Sequence, residues 1–111
     1  MNTLSSLTPG NYRAALAAAE ALAANRDETL KFLEWAGIWY RDLLTFRVAR
    51  AQDEIVNLDM LPQIEQQSAR TEEDHLFSLL AKTTEASRRI QRNVNRRMVI
   101  EDLFLRAVER R

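Results

Sequence analysis

Glu72 and His75 stand three residues apart, so a helix would place a carboxylate and an imidazole one turn from each other. In helical bundles that pairing, used twice with two further inward carboxylates, holds a di-iron centre. This chain has a single histidine, and both residues fall where a helix begins and acids are expected for dipole reasons. A surface histidine and no metal site are the expectation. The acid pairs Asp53/Glu54, Glu72/Glu73 and Glu101/Asp102 are adjacent in sequence, so on a helix they diverge, and no second group is placed to share general acid and base work. They read as solvated charges. With two glycines the chain holds no phosphate-cradling loop, and with no cysteine it has no thiol nucleophile, disulfide or thiolate metal site. No catalytic residue, cofactor or small-molecule substrate is therefore expected, and the chain is not read as an enzyme.

The arginines are more suggestive. Arg88, Arg89, Arg92, Arg96 and Arg97 gather around one stretch, and five guanidinium groups there can meet phosphates. Overall the formal charge is zero, but residues 1–87 carry 8 basic and 13 acidic side chains, net −5, whereas residues 88–111 carry 8 and 3, net +5. Such polarity serves a nucleic-acid surface, or it draws two ends of one bundle together, or it orients a protein neighbour. No aromatic residues interleave with the cluster and no zinc module accompanies it.

These residues need elements to hold them. The 111 residues suit one domain with a single core, and Ala, Leu, Glu, Arg and Gln predominate, so the expected fold is all-α, a bundle of about five helices. Residues 1–10, MNTLSSLTPG, read as a linker or disordered lead-in, and residues 11–111 as the helical domain. Asn11 is placed to cap a first helix to about Ala24, whose inward stripe is Tyr12, Leu16, Ala19, Leu22 and Ala23. Asp27 is the expected cap of a second helix reaching about Gln52. That segment carries two adjacent apolar rows, Phe32, Trp35, Trp39, Leu43, Phe46 and Leu33, Ala36, Tyr40, Leu44, so it belongs at the centre. Gly37 inside it suggests close approach of another backbone on that side.

Pro62 fits the first turn of a short third helix with Leu61, Ile64 and Met60 inward. Thr71 and Asp74 have capping-box spacing before a fourth helix whose inward side reads Leu76, Leu79, Leu80, Thr83, Ala86 and Ile90. Asn93 suits the left-handed residue that closes it, and Asn95 the cap that opens a fifth helix to about Val108. Apolar side chains from Met98 to Val108 nearly encircle that last helix, which predicts packing on most sides. No apolar run approaches the roughly 20 residues that span a bilayer, and no basic segment leads into a signal core. A soluble, cytoplasmic protein without membrane contact is expected.

Three runs, in order, carry a resemblance: WYRDLLTFRV (Trp39–Val48), NLDMLPQIEQQ (Asn57–Gln67) and RNVNRRMVIEDLFLRAV (Arg92–Val108). Together they resemble the carboxyl-terminal collar domain of the bacterial DNA polymerase III delta-prime subunits, part of the clamp loader. Where that family's corner continues Asn-x-Asn-Pro, Arg96 stands here, a mild departure because proline is favoured but not required at a first helical position. The family's nucleotide-binding-type domain and zinc-binding cysteines have no counterpart in these residues. The resemblance implies a non-catalytic domain that packs against collar domains of other loader subunits, holding a five-membered complex that loads the sliding clamp, with DNA met only through the complex. Trp35, Trp39, Tyr40, Arg41, Phe104 and Arg106 are the residues expected to touch other subunits, taken from the wide apolar helices and their charged edges. The second reading is a small helical domain that binds DNA through Arg88, Arg89, Arg92, Arg96 and Arg97.

Overall fold

A computed structural model describes residues 8–49, 54–92 and 95–109. Among the described residues are five α-helices, α1 Tyr12–Ala23, α2 Arg26–Ala49, α3 Leu61–Arg70, α4 Glu73–Gln91 and α5 Arg96–Ala107, with a 3-10 turn at Leu58–Met60 before α3. Among the described residues there is no strand. The 24 residues of α2 extend about 36 Å at a rise of about 1.5 Å each, which matches the longest dimension of the molecule, 37 Å. It is the spine, packed most extensively on α4 and then on α3, while α1 packs mainly on α5. The expected continuation of α2 to Gln52, and the corner residue Asn93, lie outside the described residues.

Asparagines start three of the helices. The Ala14 N–H donates to Asn11 Oδ1 (3.2 Å), the Glu28 N–H to Asn25 Oδ1 (3.0 Å) and the Met98 N–H to Asn95 Oδ1 (3.3 Å). The cap of α2 is thus Asn25, not Asp27, which instead joins Glu28 in the first turn and complements the dipole. Asn25 wins because it sits where α1 has ended, and the buried Thr29 hydroxyl, 2.8 Å from the Leu22 carbonyl and 2.7 Å from that of Asn25, ties the two helices at that corner. The capping box expected from Thr71 does not form. The Thr71 hydroxyl donates back to the Gln67 carbonyl (3.0 Å) at the end of α3, and α4 starts with acids in its first turn and no side-chain cap.

The core divides into two clusters. One joins Ala15, Ala19, Leu33, Ala86, Ile90, Val99, Ile100, Leu103, Phe104 and Val108; the other joins Trp39, Tyr40, Leu43, Leu44, Phe46, Ile55, Ile64, Leu76 and Leu79 around Ala36. An aromatic ladder links them: Phe104 meets Phe32 edge-on (5.5 Å), Phe32 tilts against Trp35 (6.5 Å), and Trp35 stacks on Trp39 (5.4 Å). Both apolar rows of α2 are used, as is the inward side of α4, where Leu80 alone is half-buried. Of the stripe expected on α1, Ala19, Leu22 and Ala23 do turn inward, and Tyr12 and Leu16 do not. Ala15, Ala19 and Ala23 are buried, and Tyr12 (47 %) and Leu16 (39 %) are left in solvent. Alanine methyls let α1 lie close to α5, and closeness there turns the larger side chains outward.

Two further observations concern the connections. Gly10 has a left-handed φ of 81°, which favours glycine, and its N–H donates to the Val108 carbonyl (2.7 Å), so the end of the expected lead-in is held against the end of α5. In the carboxyl half of α2 the fully buried Asp42 accepts from the Val56 N–H (3.0 Å), the Asn57 N–H (3.0 Å) and Asn57 Nδ2 (2.8 Å), pinning the loop before α3 to α2. The close backbone neighbour expected at Gly37 is not there: a Cβ on that residue would meet nothing within 4 Å.

Candidate subunit interface

The six expected contact residues separate by depth. Trp39 (4 %), Tyr40 (7 %) and Phe104 (1 %) are built into the domain's own core. Trp35 is half-buried, one face on Trp39, and Arg41 is exposed and makes no ion pair among the described residues. Arg106 is half-exposed, and its Nε donates to Ser78 Oγ (3.2 Å) while Nη1 meets Glu109 (3.0 Å), so part of its bonding capacity is spent on holding α5 to α4. Burial without a charged neighbour pushes the Tyr40 phenol well above its ordinary pKa of 10, so it stays neutral and apolar in character throughout the physiological range. The two aromatic rows of α2 are thus core on one side and edge on the other, and Trp35 lies at the boundary.

The arginine cluster also divides. Arg96 Nε donates to the Ala23 carbonyl (2.6 Å), satisfying an acceptor at the carboxyl end of α1 where a cation is favoured by the dipole. Arg97 pairs with Glu101 within α5 (3.2 Å) and reaches Glu20 of α1 at 3.9 Å. Arg88, Arg89 and Arg92 are all exposed and have no ion pair among the described residues. With Glu73 and Asp74 in the first turn of α4 and Arg88 and Arg89 in its last, the helix carries acid at one end and base at the other, in the sense its dipole favours.

His75 is buried (7 %) rather than at the surface, because it lies one helical turn before the buried Leu79 on α4. Among the described residues no three His, Asp or Glu side chains gather as a metal would require. A cleft between α4 and α5, bordered by Lys82, Arg89 and Asp102, encloses about 30 Å³, room for a water or two and far from the roughly 300 Å³ of small-molecule pockets. Lys82 and Asp102 close over it at 3.4 Å. No helix among the described residues is long and apolar enough to cross a membrane.

Pattern reading does not find the surface apolar set. Tyr12, Leu16, Phe77 (55 %) and Met98 (65 %) are exposed, although periodicity places the first two inward and Met98 on an encircled helix. α5 is packed on about half its circumference rather than on most sides: Val99, Ile100, Leu103 and Phe104 are buried, Leu105 and Ala107 half-buried, and Arg97, Met98 and Asp102 exposed. The available signal is the alanine register of α1: Ala15 continues the inward row of Ala19 and Ala23, and the closer packing of that small-residue row leaves Tyr12 and Leu16 outside.

The cleft between α4 and α5 is smaller than a small-molecule pocket. The domain offers a helical body with apolar and charged edges. The family described as "DNA polymerase III, delta subunit, C terminal" matches residues 1–109 of the chain. Neither a curated protein nor a solved structure matches it significantly. A match over that span embraces all five helices, and on it the chain belongs to the family of carboxyl-terminal domains of the DNA polymerase III delta subunit.

Proposed function

We propose that this domain is a non-catalytic assembly module of the polymerase III clamp loader, specifically the collar-type domain of a delta-prime subunit, working in the cytoplasm. It packs against collar domains of other loader subunits and so holds the five-membered complex that loads the sliding clamp during replication, meeting DNA through the complex. The observation that carries this reading is the family match through residues 1–109. The delta-prime assignment is supported by the ordered runs Trp39–Val48, Asn57–Gln67 and Arg92–Val108, the first two of which are joined through Asp42 and Asn57. Of the six interface residues, Trp35, Arg41 and Arg106 reach a partner directly, while Trp39, Tyr40 and Phe104 act from within by fixing the shape of α2 and α5. Competition tests it: titrated into a loader being reconstituted, the chain displaces the full-length delta-prime subunit and leaves delta in place. Displacement of delta alone would overturn the finer assignment, and displacement of neither would overturn the assembly role.

A second reading draws on Arg88, Arg89 and Arg92, which have no ion pair among the described residues. If these three touch DNA phosphates, the logarithm of affinity falls with the logarithm of salt at a slope of about −2.7. A titration at low salt that detects no duplex binding removes this reading and leaves the first intact.

A further inference from the structure

Among the described residues α3 leans substantially on one other helix only, α2, whereas α1, α2, α4 and α5 each lie against two or more. In α3 only Ile64 and Ser68 are buried, and a helix of this length has little stability of its own in water. The connection leading into it adds the buried Ile55 and leaves Val56 and Leu58 in solvent. So little apolar surface holds this stretch that polar anchors must supply the rest.

Those anchors stand at its two ends, and both come from the carboxyl half of α2. At the start, Asp42 accepts from the Val56 and Asn57 N–H groups, both at 3.0 Å. At the finish, Arg47 Nη1 donates to the Ser68 carbonyl at 2.7 Å. An acid thus holds donors and a base holds an acceptor. Beyond α3, Thr71 (φ −115°, ψ 130°) and Glu72 (φ −65°, ψ 146°) are extended, and such a pair between two helices can absorb a change of direction without disturbing either. The other helices keep their neighbours without α3: α1 packs on α5, α5 on α4 and α4 on α2. The core cluster of Ala15, Leu33, Ile90, Ile100 and Phe104 contains no residue from 54–70.

We infer that residues 54–70 form a strap that opens and closes on α2 as one unit, latched at its two ends by Asp42 and Arg47, while α1, α2, α4 and α5 stay packed. Opening parts Ile55 and Ile64 from the cluster they share with Tyr40, Leu43 and Leu44, and so exposes an apolar stretch of α2 with the body of the domain intact. Because both latches stand on one helix, loosening either shifts the equilibrium of the whole strap, and the effect is felt at the opposite end. The inference is independent of the assembly role.

The chain has no cysteine, so a single introduced thiol reports the exposure of its own position. The test follows thiol labelling of Ser68→Cys in the strap and Ala86→Cys in the body, both buried positions, each with and without Asn57→Ala at the far end of the strap. Ser68→Cys labels about a hundredfold faster than Ala86→Cys. Asn57→Ala speeds labelling of Ser68→Cys about fivefold, the equivalent of one lost hydrogen bond, and leaves that of Ala86→Cys unchanged. Hydrogen exchange makes the same comparison between the amides of α3 and those of α1 and α4, with and without Asn57→Ala, and serves if Ser68→Cys does not fold. Equal rates in strap and body mean that the domain opens only as a whole and overturn the strap. Fast opening at Ser68 that Asn57→Ala does not alter means that α3 frays alone and overturns the two-ended latch. Acceleration in the body as well as the strap overturns its independence.

Discussion

Asp42 and Asn57 are joined twice: the Asn57 N–H and Nδ2 both donate to Asp42 Oδ2, at 3.0 and 2.8 Å, while the Val56 N–H takes Oδ1 at 3.0 Å. One carboxylate in the carboxyl half of α2 thereby organises the chain 15 residues further on. Asp42 is fully buried, so its charge is compensated by these three donors and by no ion pair among the described residues. Asp42→Ala strands the two backbone donors and the amide and is expected to cost about 3 kcal/mol, given about 1.5–3 kcal/mol for hydrogen bonds to charged groups. Asn57→Ala keeps both backbone bonds and costs about 1 kcal/mol. Urea unfolding of the two single variants and the double variant gives the coupling, and additive losses would show that the pair is not the anchor.

Phe104 joins the two core clusters by its edge-on contact with Phe32 and is 1 % exposed. Phe104→Ala leaves a void where the clusters meet and is expected to cost about 3–5 kcal/mol. Phe104→Leu keeps most of the volume and costs about 1–1.5 kcal/mol. Calorimetry distinguishes them: a Phe104→Ala variant that melts within a degree or two of the parent contradicts the linking role.

The corner before α5 depends on Asn95 and Arg96. Asn95→Ala removes the cap on the Met98 N–H and is expected to cost about 1 kcal/mol. Arg96→Ala removes the donor to the Ala23 carbonyl and costs a similar amount, about 1–2 kcal/mol. Because Arg96 acts at the carboxyl end of α1, hydrogen exchange in the last turn of α1 speeds up in that variant; unchanged exchange there would show the contact to be unimportant.

Tyr40 provides a pH signature. Its folded pKa is raised above 10 by burial, so the folded chain keeps the phenolic proton while the unfolded chain releases it. The unfolded state then binds fewer protons, and stability falls as pH rises through 10, at up to about 1.4 kcal/mol per pH unit. Below pH 10 the contribution is fully present. Tyr40→Phe is expected to flatten this alkaline loss in melting curves taken from pH 9 to 12, and an equally steep loss without the phenol would assign it to other groups.

Helix number and order, the inward side of α4 and both rows of α2 are legible in the sequence because period and burial coincide there: Leu76, Leu79, Thr83, Ala86 and Ile90 have one neighbour face to meet. The caps at Asn11 and Asn95 are legible from residue type and place. Pattern and structure part where two local preferences compete. Asn25 takes the cap from Asp27, Thr71 bonds backward to Gln67 rather than forward, and Ala15, Ala19 and Ala23 outcompete Tyr12 and Leu16 for the inside of α1. For the candidate interface, aromatic type and spacing do not reveal depth: Trp35 and Trp39 belong to one row, yet the latter is sealed and the former is at an edge. Depth follows from how α3 and α4 pack on α2, which no single helix encodes. Gly37 is visible as an anomaly in the sequence, but its open side emerges only once the helices are assembled.

If the domain is an assembly surface, it must add mass to its complex. The most direct test is light scattering on the chain mixed with the other loader subunits lacking their own delta-prime. The prediction is one particle whose mass rises by one copy of the 12.9 kDa chain, together with a less abundant particle when Trp35→Glu is used instead. Separate elution of chain and loader at micromolar concentration, with the chain folded, would contradict it.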